Sequence, residues 1–372
     1  MYSEKESQKV INIVDSQKLI SQGLYAKTLR PFIPAEAFAP DPSKLIILFI
    51  NLAILILGWA IAAHLDRWPL YLLWLYLPLA VVMGNSVTVL AVSSHDLMHG
   101  SVIRNSRLTH VIGWLGLTML WMPATLWKAV HNRVHHNKTN SLGDPDRGYL
   151  YDQPKTWGTW THDVFVPSVE SNPIGITIGM ALAWPVYAFR NLTAVLLFNG
   201  ESVDYVPAAF KVSAKERRAI AGEFLVISLM HLSLWTYLQF EPLKLVLSYL
   251  LPLGIGYAGI IFYIFTQHMP CRLTSVNDSL INSVSIRVPK LFDQLHLNFS
   301  YHTEHHLFPG MNSDYYPIVQ DLLKVHYPER FNLLDAGEAW RLLRETPRYY
   351  KNETTLTDSS GEKSVTCPLN QG

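Results

Sequence analysis

Three short windows carry eight of the chain's 15 histidines: His95 and His99 in HDLMH, His131, His135 and His136 in HNRVHH, and His302, His305 and His306 in HTEHH. Residues four apart on a helix share a face. His95/His99, His131/His135 and His302/His306 are therefore expected to project in pairs, with His136 and His305 turned slightly aside. Imidazole suits iron, zinc, copper and nickel, and a single zinc site takes about four ligands, so eight rings are enough for two metal ions.

Such windows need rigid elements to hold them, and the composition points to a membrane. Of 372 residues, 49% are hydrophobic and only 16% charged, where a soluble domain averages about 25% charged. Lys and Arg number 30 against 29 Asp and Glu, and the resulting net charge of +1 offers no field for nucleic acid, so no nucleic-acid partner is expected. Two cysteines, Cys271 and Cys367, are too few for a disulfide scaffold. Residues 1–44 contain no apolar core of a cleaved signal peptide and are expected to be a cytosolic N-terminal segment.

Four stretches are long and apolar enough to cross about 30 Å of hydrocarbon: Leu45–Leu65, Leu70–Val92, Ala219–Leu238 and Leu243–Phe265. The second runs straight into His95. The first window follows span two and the third follows span four, so an even count puts both on one face of the bilayer. Lys27, Arg30, Arg104, Arg107, Lys128, Arg133, Lys138, Lys215, Arg217, Arg218 and Arg272 lie in the connections on that face, which the positive-inside rule makes cytoplasmic. Val111–Trp127 and Ile174–Phe198, the latter interrupted by Pro185 and Arg190, are read as half-inserted or interfacial helices, because a lone crossing by either would part the windows. The expected fold is an all-α integral membrane protein. It has about four transmembrane helices, half-inserted or interfacial helices, and a cytosolic histidine-rich cap. The membrane domain covers residues 45–347, and the polar tail 348–372 is expected to be disordered.

The order HxxxH, HxxxHH, HxxHH resembles the integral-membrane fatty acid desaturase superfamily and its hydroxylase and ketolase relatives. The flanks HDLMHGS, HNRVHHNKTNSLGDPD and NFSYHTEHHLFPGM look like those of acyl desaturases, and the match runs from the first span to Leu333. The resemblance implies two non-haem iron ions held by these histidines at the cytosolic helix ends. It also implies O2 as co-substrate, two external electrons, and a fatty acyl chain or membrane lipid as substrate. It further implies one more histidine at the end of the fourth span: His268, in FTQHMP, sits at that place, and His296 is its competitor. Removing hydrogen from an unactivated CH2 needs a strongly oxidising centre with water excluded. Asp96, Asp144, Asp146 and Glu304 are the carboxylates near enough in sequence to orient the ring N–H groups.

The remaining histidines His64, His110, His162, His231 and His326 are read as structural; His231 lies within a span and is expected to hydrogen-bond inside the bundle. The aromatic segments around Trp114, Trp121, Trp127 and Trp184 are more often interface belts than substrate contacts, and a tunnel wall would use similar residues. Rival functions are a membrane di-iron hydroxylase or ketolase acting on a carotenoid, alkane or sphingoid substrate, and a metal transporter or haem-binding electron carrier. The three-residue spacing within HNRVHH and the LFPGM sequence favour the acyl desaturase over a ketolase, and windows at the span ends disfavour a transporter, whose sites lie near the midplane. No HPGG or CxxC motif is present, so electrons are expected from a separate protein, either ferredoxin or cytochrome b5.

Overall fold

A computed structural model describes residues 18–145, 164–169, 171–198 and 210–369. Helix α1 is Gln22–Leu29. Among the described residues five helices are long and apolar enough to cross a membrane: α2 Lys44–Ala62, α3 Leu70–Met98, α6 Ile174–Phe198, α7 Ala214–Tyr237 and α8 Pro242–His268. Each forms for a local reason. No charged residue interrupts α2 after Lys44, and it buries the stripe Leu48, Asn51, Leu55, Gly58 and Ala62, spaced three or four apart. Its outer face, including Ile46, Phe49, Ile50, Ile56 and Leu57, is exposed, as suits contact with lipid. A capping box between Ser213 and Glu216 starts α7.

The bundle is built around α3, which packs against α2 on one side and α8 on the other. Small residues permit the second contact. A Cβ on Gly256 would lie 2.5 Å from Val87 Cβ and 2.8 Å from Gly84 O, so the two backbones nearly touch.

The stretch Val111–Trp127, expected to be half-inserted, divides between two elements. Helix α4, Ser106–Leu117, is capped by the Asn105 side chain, which accepts from Arg107 N and Leu108 N. At 12 residues it is about 18 Å long and too short to span. A turn through Trp121, at φ 53°, leads to α5, which begins as Ala124–Trp127, passes into a π-helical turn Lys128–His135 and ends with His136–Lys138.

Ile174–Phe198 departs from expectation. It is one continuous helix, and Pro185 lies inside it without ending it. A proline removes one backbone hydrogen bond, and α6 tolerates the loss because it packs along α8, with Trp184 buried beside the break. By length and composition there are thus five candidate spans among the described residues, where the sequence suggests four spans and two half-inserted or interfacial segments.

The cap follows α8. It holds β1, Ser285–Arg287, paired in parallel with β2, Leu333–Asp335, and helices α9 Lys290–Leu295, α10 His302–Leu307, α11 Tyr316–His326 and α12 Ala336–Glu345. Helix α1 packs onto it through Tyr25 and Leu29 against Tyr316, Val319 and Leu323.

The tail is a second correction. Residues expected to be disordered form a three-stranded antiparallel sheet, β3 Tyr349–Asn352, β4 Thr355–Thr357 and β5 Ser364–Thr366. Tyr349, Tyr350, Leu356 and Cys367 are buried, and the Tyr350 hydroxyl donates to Cys271 O just beyond α8. A few well-placed apolar side chains found a ready surface on the cap, which average polarity does not reveal.

Candidate metal centre

Among the described residues, nine histidines converge from the ends of α3 and α8 and from along α5 and α10. His95 lies in the last turn of α3 and His99 caps it. His131, His135 and His136 come from α5, His268 is the last residue of α8, and His302, His305 and His306 lie on the fully buried α10. They sort into two groups, His95, His99, His131, His136 and His305 in one and His135, His268, His302 and His306 in the other, with the ligand atoms of each within 4.8 Å of one another.

The pairs His95/His99 and His302/His306 stay together as four-residue spacing predicts, and His302 Nε2 lies 3.1 Å from His306 Nε2. The pair His131/His135 does not. The chain is π-helical through these residues, so the hydrogen bonding runs to the fifth residue rather than the fourth. The wider turn returns His136 beneath His131, with their Nε2 atoms 3.1 Å apart, and swings His135 to the second group. His305 likewise crosses to the first group, its Nε2 3.1 Å from His136 Nε2. One extra residue per turn lets a single helix serve both groups.

The donor set fits cations. His268 Nε2 and His302 Nε2 lie 2.6 Å apart, and the buried Nε2 atoms of His95 and His99 have no hydrogen-bond partner among the described residues. Neutral imidazole nitrogens facing one another at these distances repel unless a cation or proton lies between them. Burial, reinforced by the neighbouring imidazoles, holds His131, His136, His302, His305 and His306 well below the ordinary histidine pKa. Their neutral form, the one that ligates, is therefore favoured.

The far ring nitrogens are held in turn. His95 Nδ1 donates to Asp96 Oδ1 at 3.1 Å, His135 Nδ1 to Asp144 Oδ1 at 3.0 Å, and His268 Nδ1 to Asn282 O at 3.1 Å, while His305 Nδ1 pairs with the Tyr316 hydroxyl at 3.0 Å. Each group thus has one carboxylate-backed imidazole, which raises ligand basicity and fixes the tautomer. Glu304 plays a different part: it accepts from Ser285 Oγ and from Gln320 Nε2, and burial raises its carboxyl to about 7. Asp146 and His162 lie outside the described residues.

His296 belongs to neither group. Its Nδ1 pairs with the Tyr263 hydroxyl at 2.9 Å and its Nε2 with Asn85 Oδ1 at 3.0 Å. Of the histidines read as structural, His231 fits the bundle as expected: Nε2 donates to Thr118 O, Nδ1 accepts from Tyr249, and the ring stacks on Trp121 at 4.0 Å.

Sequence reasoning missed the amides and hydroxyls that frame the site. Asn140 Nδ2 donates to His268 O, Asn277 Nδ2 to His136 O, and Asn282 Nδ2 to Thr139 O. Thr139 and Asn140 carry a faint signal by adjoining the second window; Asn277, Asn282 and Tyr316 carry none.

A cavity enclosing about 1090 Å³, part of it open, runs along both groups. His95 and His131 of one group and His135, His268 and His302 of the other line it, and Ile260, Ile261, Ile264 and Trp184 make its apolar wall. Trp127 stacks on His131 at 4.6 Å, and Trp184 is anchored by donating to Leu120 O at 2.9 Å. Trp127 and Trp184 are cavity walls, one of the two roles the sequence left open. A long apolar ligand placed here would lie beside both clusters.

Comparison with known proteins gives the same picture. The fatty acid desaturase family model matches residues 72–334. The chain is 26% identical over 351 residues to the sn-1 acyl-lipid omega-3 desaturase (ferredoxin) of Nostoc, covering 91% of this chain and 86% of the relative. It is 27% identical over 168 residues to the protein of the same name from Synechocystis, covering 44% of this chain and 41% of the relative. It is also 25% identical over 241 residues to the acyl-lipid (9+3)-(E)-desaturase of Dimorphotheca sinuata, covering 62% of this chain and 61% of the relative.

Proposed function

The chain belongs to the fatty acid desaturase family of oxidoreductases, and on that premise we propose that it introduces a double bond into a long acyl chain of a membrane lipid. Two iron ions would be held by the nine clustered histidines. The observation that carries this is the apolar cavity bordered by both histidine groups. When bound, the irons would supply the oxidising power that O2 and two electrons generate for removing hydrogen from an unactivated CH2.

The protein's own part is positional. Ile260, Ile261, Ile264 and Trp184 receive the acyl chain and exclude water, while Asp96 and Asp144 hold His95 and His135 in the ligating tautomer. The printed names of the Nostoc and Synechocystis relatives support an acyl-lipid substrate and ferredoxin as the electron donor.

The convergence of the windows also supports a membrane arrangement. The chain between His136 and His268 contains three candidate spans, α6, α7 and α8. Both histidines sit in one centre, so an even number of complete crossings separates them. The most apolar reading has α7 and α8 cross and α6 lie partly inserted, giving four spans with α2 and α3. The positive residues flanking the site support a metal centre on the cytosolic side.

The test is expression in a host of known lipid composition with ferredoxin and its reductase supplied. New unsaturated acyl chains and close to two irons per purified chain are expected. His135→Ala and His302→Ala should abolish the product while the protein still inserts in the membrane. Unchanged lipids from an iron-loaded, reducible wild-type protein would overturn the proposal, and hydroxylated products in their place would move it to the oxygen-inserting relatives.

A further inference from the structure

The chain between β1 and α10 makes an excursion that the Asn298 amide, donating to Ser313 O at 3.1 Å, ties to the cap. Ile286 N donates to Ser300 O at 3.0 Å, so residues 288–299 form a loop whose ends meet. Helix α9 makes its first half and buries none of its six residues. Leu291 is 61% exposed, Phe292 43% and Leu295 39%. Leu291 and Leu295 share a face with Phe292 beside them, while Lys290 and Gln294, also four apart, share another. This is the pattern of a helix lying at a membrane interface.

The residue after α9 gives the depth. His296 reaches Asn85, a half-buried amide in the middle of α3, and Tyr263 of α8. A Cβ on Gly58 of α2 would touch Met83, two residues before Asn85. The polar end of α2 is marked by Lys44, which bonds Ser313 and Asp314 of the cap. Counted along the helices at about 1.5 Å per residue, Asn85 lies about 18 Å below Lys44, well within the apolar length of α2. A polar residue at that depth needs a partner, and His296 is brought down to supply one. Left-handed backbone at Leu297 and Asn298, φ 52° and 58°, then turns the chain back toward the cap.

We propose that residues 288–299 are a re-entrant wedge inserted into the bilayer leaflet on the metal side. Leu291, Phe292 and Leu295 contact lipid acyl chains, and Lys290 and Gln294 reach back to the headgroups. Phe299, which closes the loop, packs on His95 with ring centroids 5.2 Å apart and lines the cavity. The wedge thus anchors the third histidine window at a fixed height in the membrane. The inference rests on the membrane orientation proposed above.

The test uses full-length, iron-loaded protein in phosphatidylcholine vesicles. Nitroxide labels are placed at Leu291→Cys and Leu295→Cys, with Val81→Cys on the exposed face of α3 as a lipid control and Asp321→Cys on α11 as an aqueous control. Cys271 and Cys367 are buried, so unsubstituted protein gives the background. The collision ratio for O2 against a water-soluble nickel complex is expected at residues 291 and 295 to match the Val81 label. Ratios matching Asp321, with Val81 still lipid-like, overturn the wedge while leaving the orientation intact. An aqueous ratio at Val81 overturns the orientation and the wedge together.

Discussion

Replacing His268 with alanine tests the division of nine histidines into two unequal groups. His268 is one of four imidazoles in the second group, and its Nε2 faces His302 Nε2 at 2.6 Å. The substitution leaves His135, His302 and His306 there, and leaves all five rings of the first group untouched. Losing a residue that merely supports a ligand costs about 10–100-fold in metal affinity. Losing the ligand itself should exceed the upper value, which corresponds to about 2.8 kcal/mol. Iron should therefore fall from about two per chain to about one, and desaturated product by at least about 100-fold. His296→Ala provides the contrast. Both of its ring nitrogens are engaged elsewhere, by Tyr263 and Asn85, so that variant should keep both irons. Elemental analysis of purified protein and fatty acid profiling of the expressing cells read the two effects separately. Two irons and normal product in His268→Ala would refute the grouping, as would loss of one iron in His296→Ala with His268→Ala unaffected.

Asp144 accepts from His135 of the second group, so Asp144→Asn should weaken one iron by about 10–100-fold and spare the other; chelator titration followed by elemental analysis checks this, and equal weakening of both would contradict it. Gly256→Ala places a Cβ 2.5 Å from Val87 Cβ and 2.8 Å from a backbone oxygen of α3, so the helices must part, at a cost of about 1–3 kcal/mol. A thermal unfolding midpoint in detergent equal to wild type would show that the contact yields freely. Trp184 walls the cavity at 1% exposure. Trp184→Ala should lengthen the space and shift product toward longer acyl chains or a displaced double bond, whereas an identical product profile would remove it from the substrate's path.

The sequence by itself determined which side chains meet and in what kind of solvent. Eight of the nine clustered histidines announce themselves by short-range spacing, and the apolar stretches announce the spans, because both signals depend on neighbours in the chain. Even the ninth, His268, could be located from the resemblance and its position at the end of a span. What the tertiary structure decided was how the rings divide. His131 goes with His136 rather than His135 because the helix between them takes a π turn, and no local rule announces that turn. That His268 rather than His296 joins the clustered rings depends on the packing of α8 and β1 around Asn282, which occupies one ring, and of α3 against the cap, which engages the other. Pro185 left α6 unbroken, and the polar tail folded into a sheet, because each met a packed surface. Periodicity and composition report what a segment prefers alone; burial against partners distant in sequence outweighs that preference, and those partners appear only when the chain is folded.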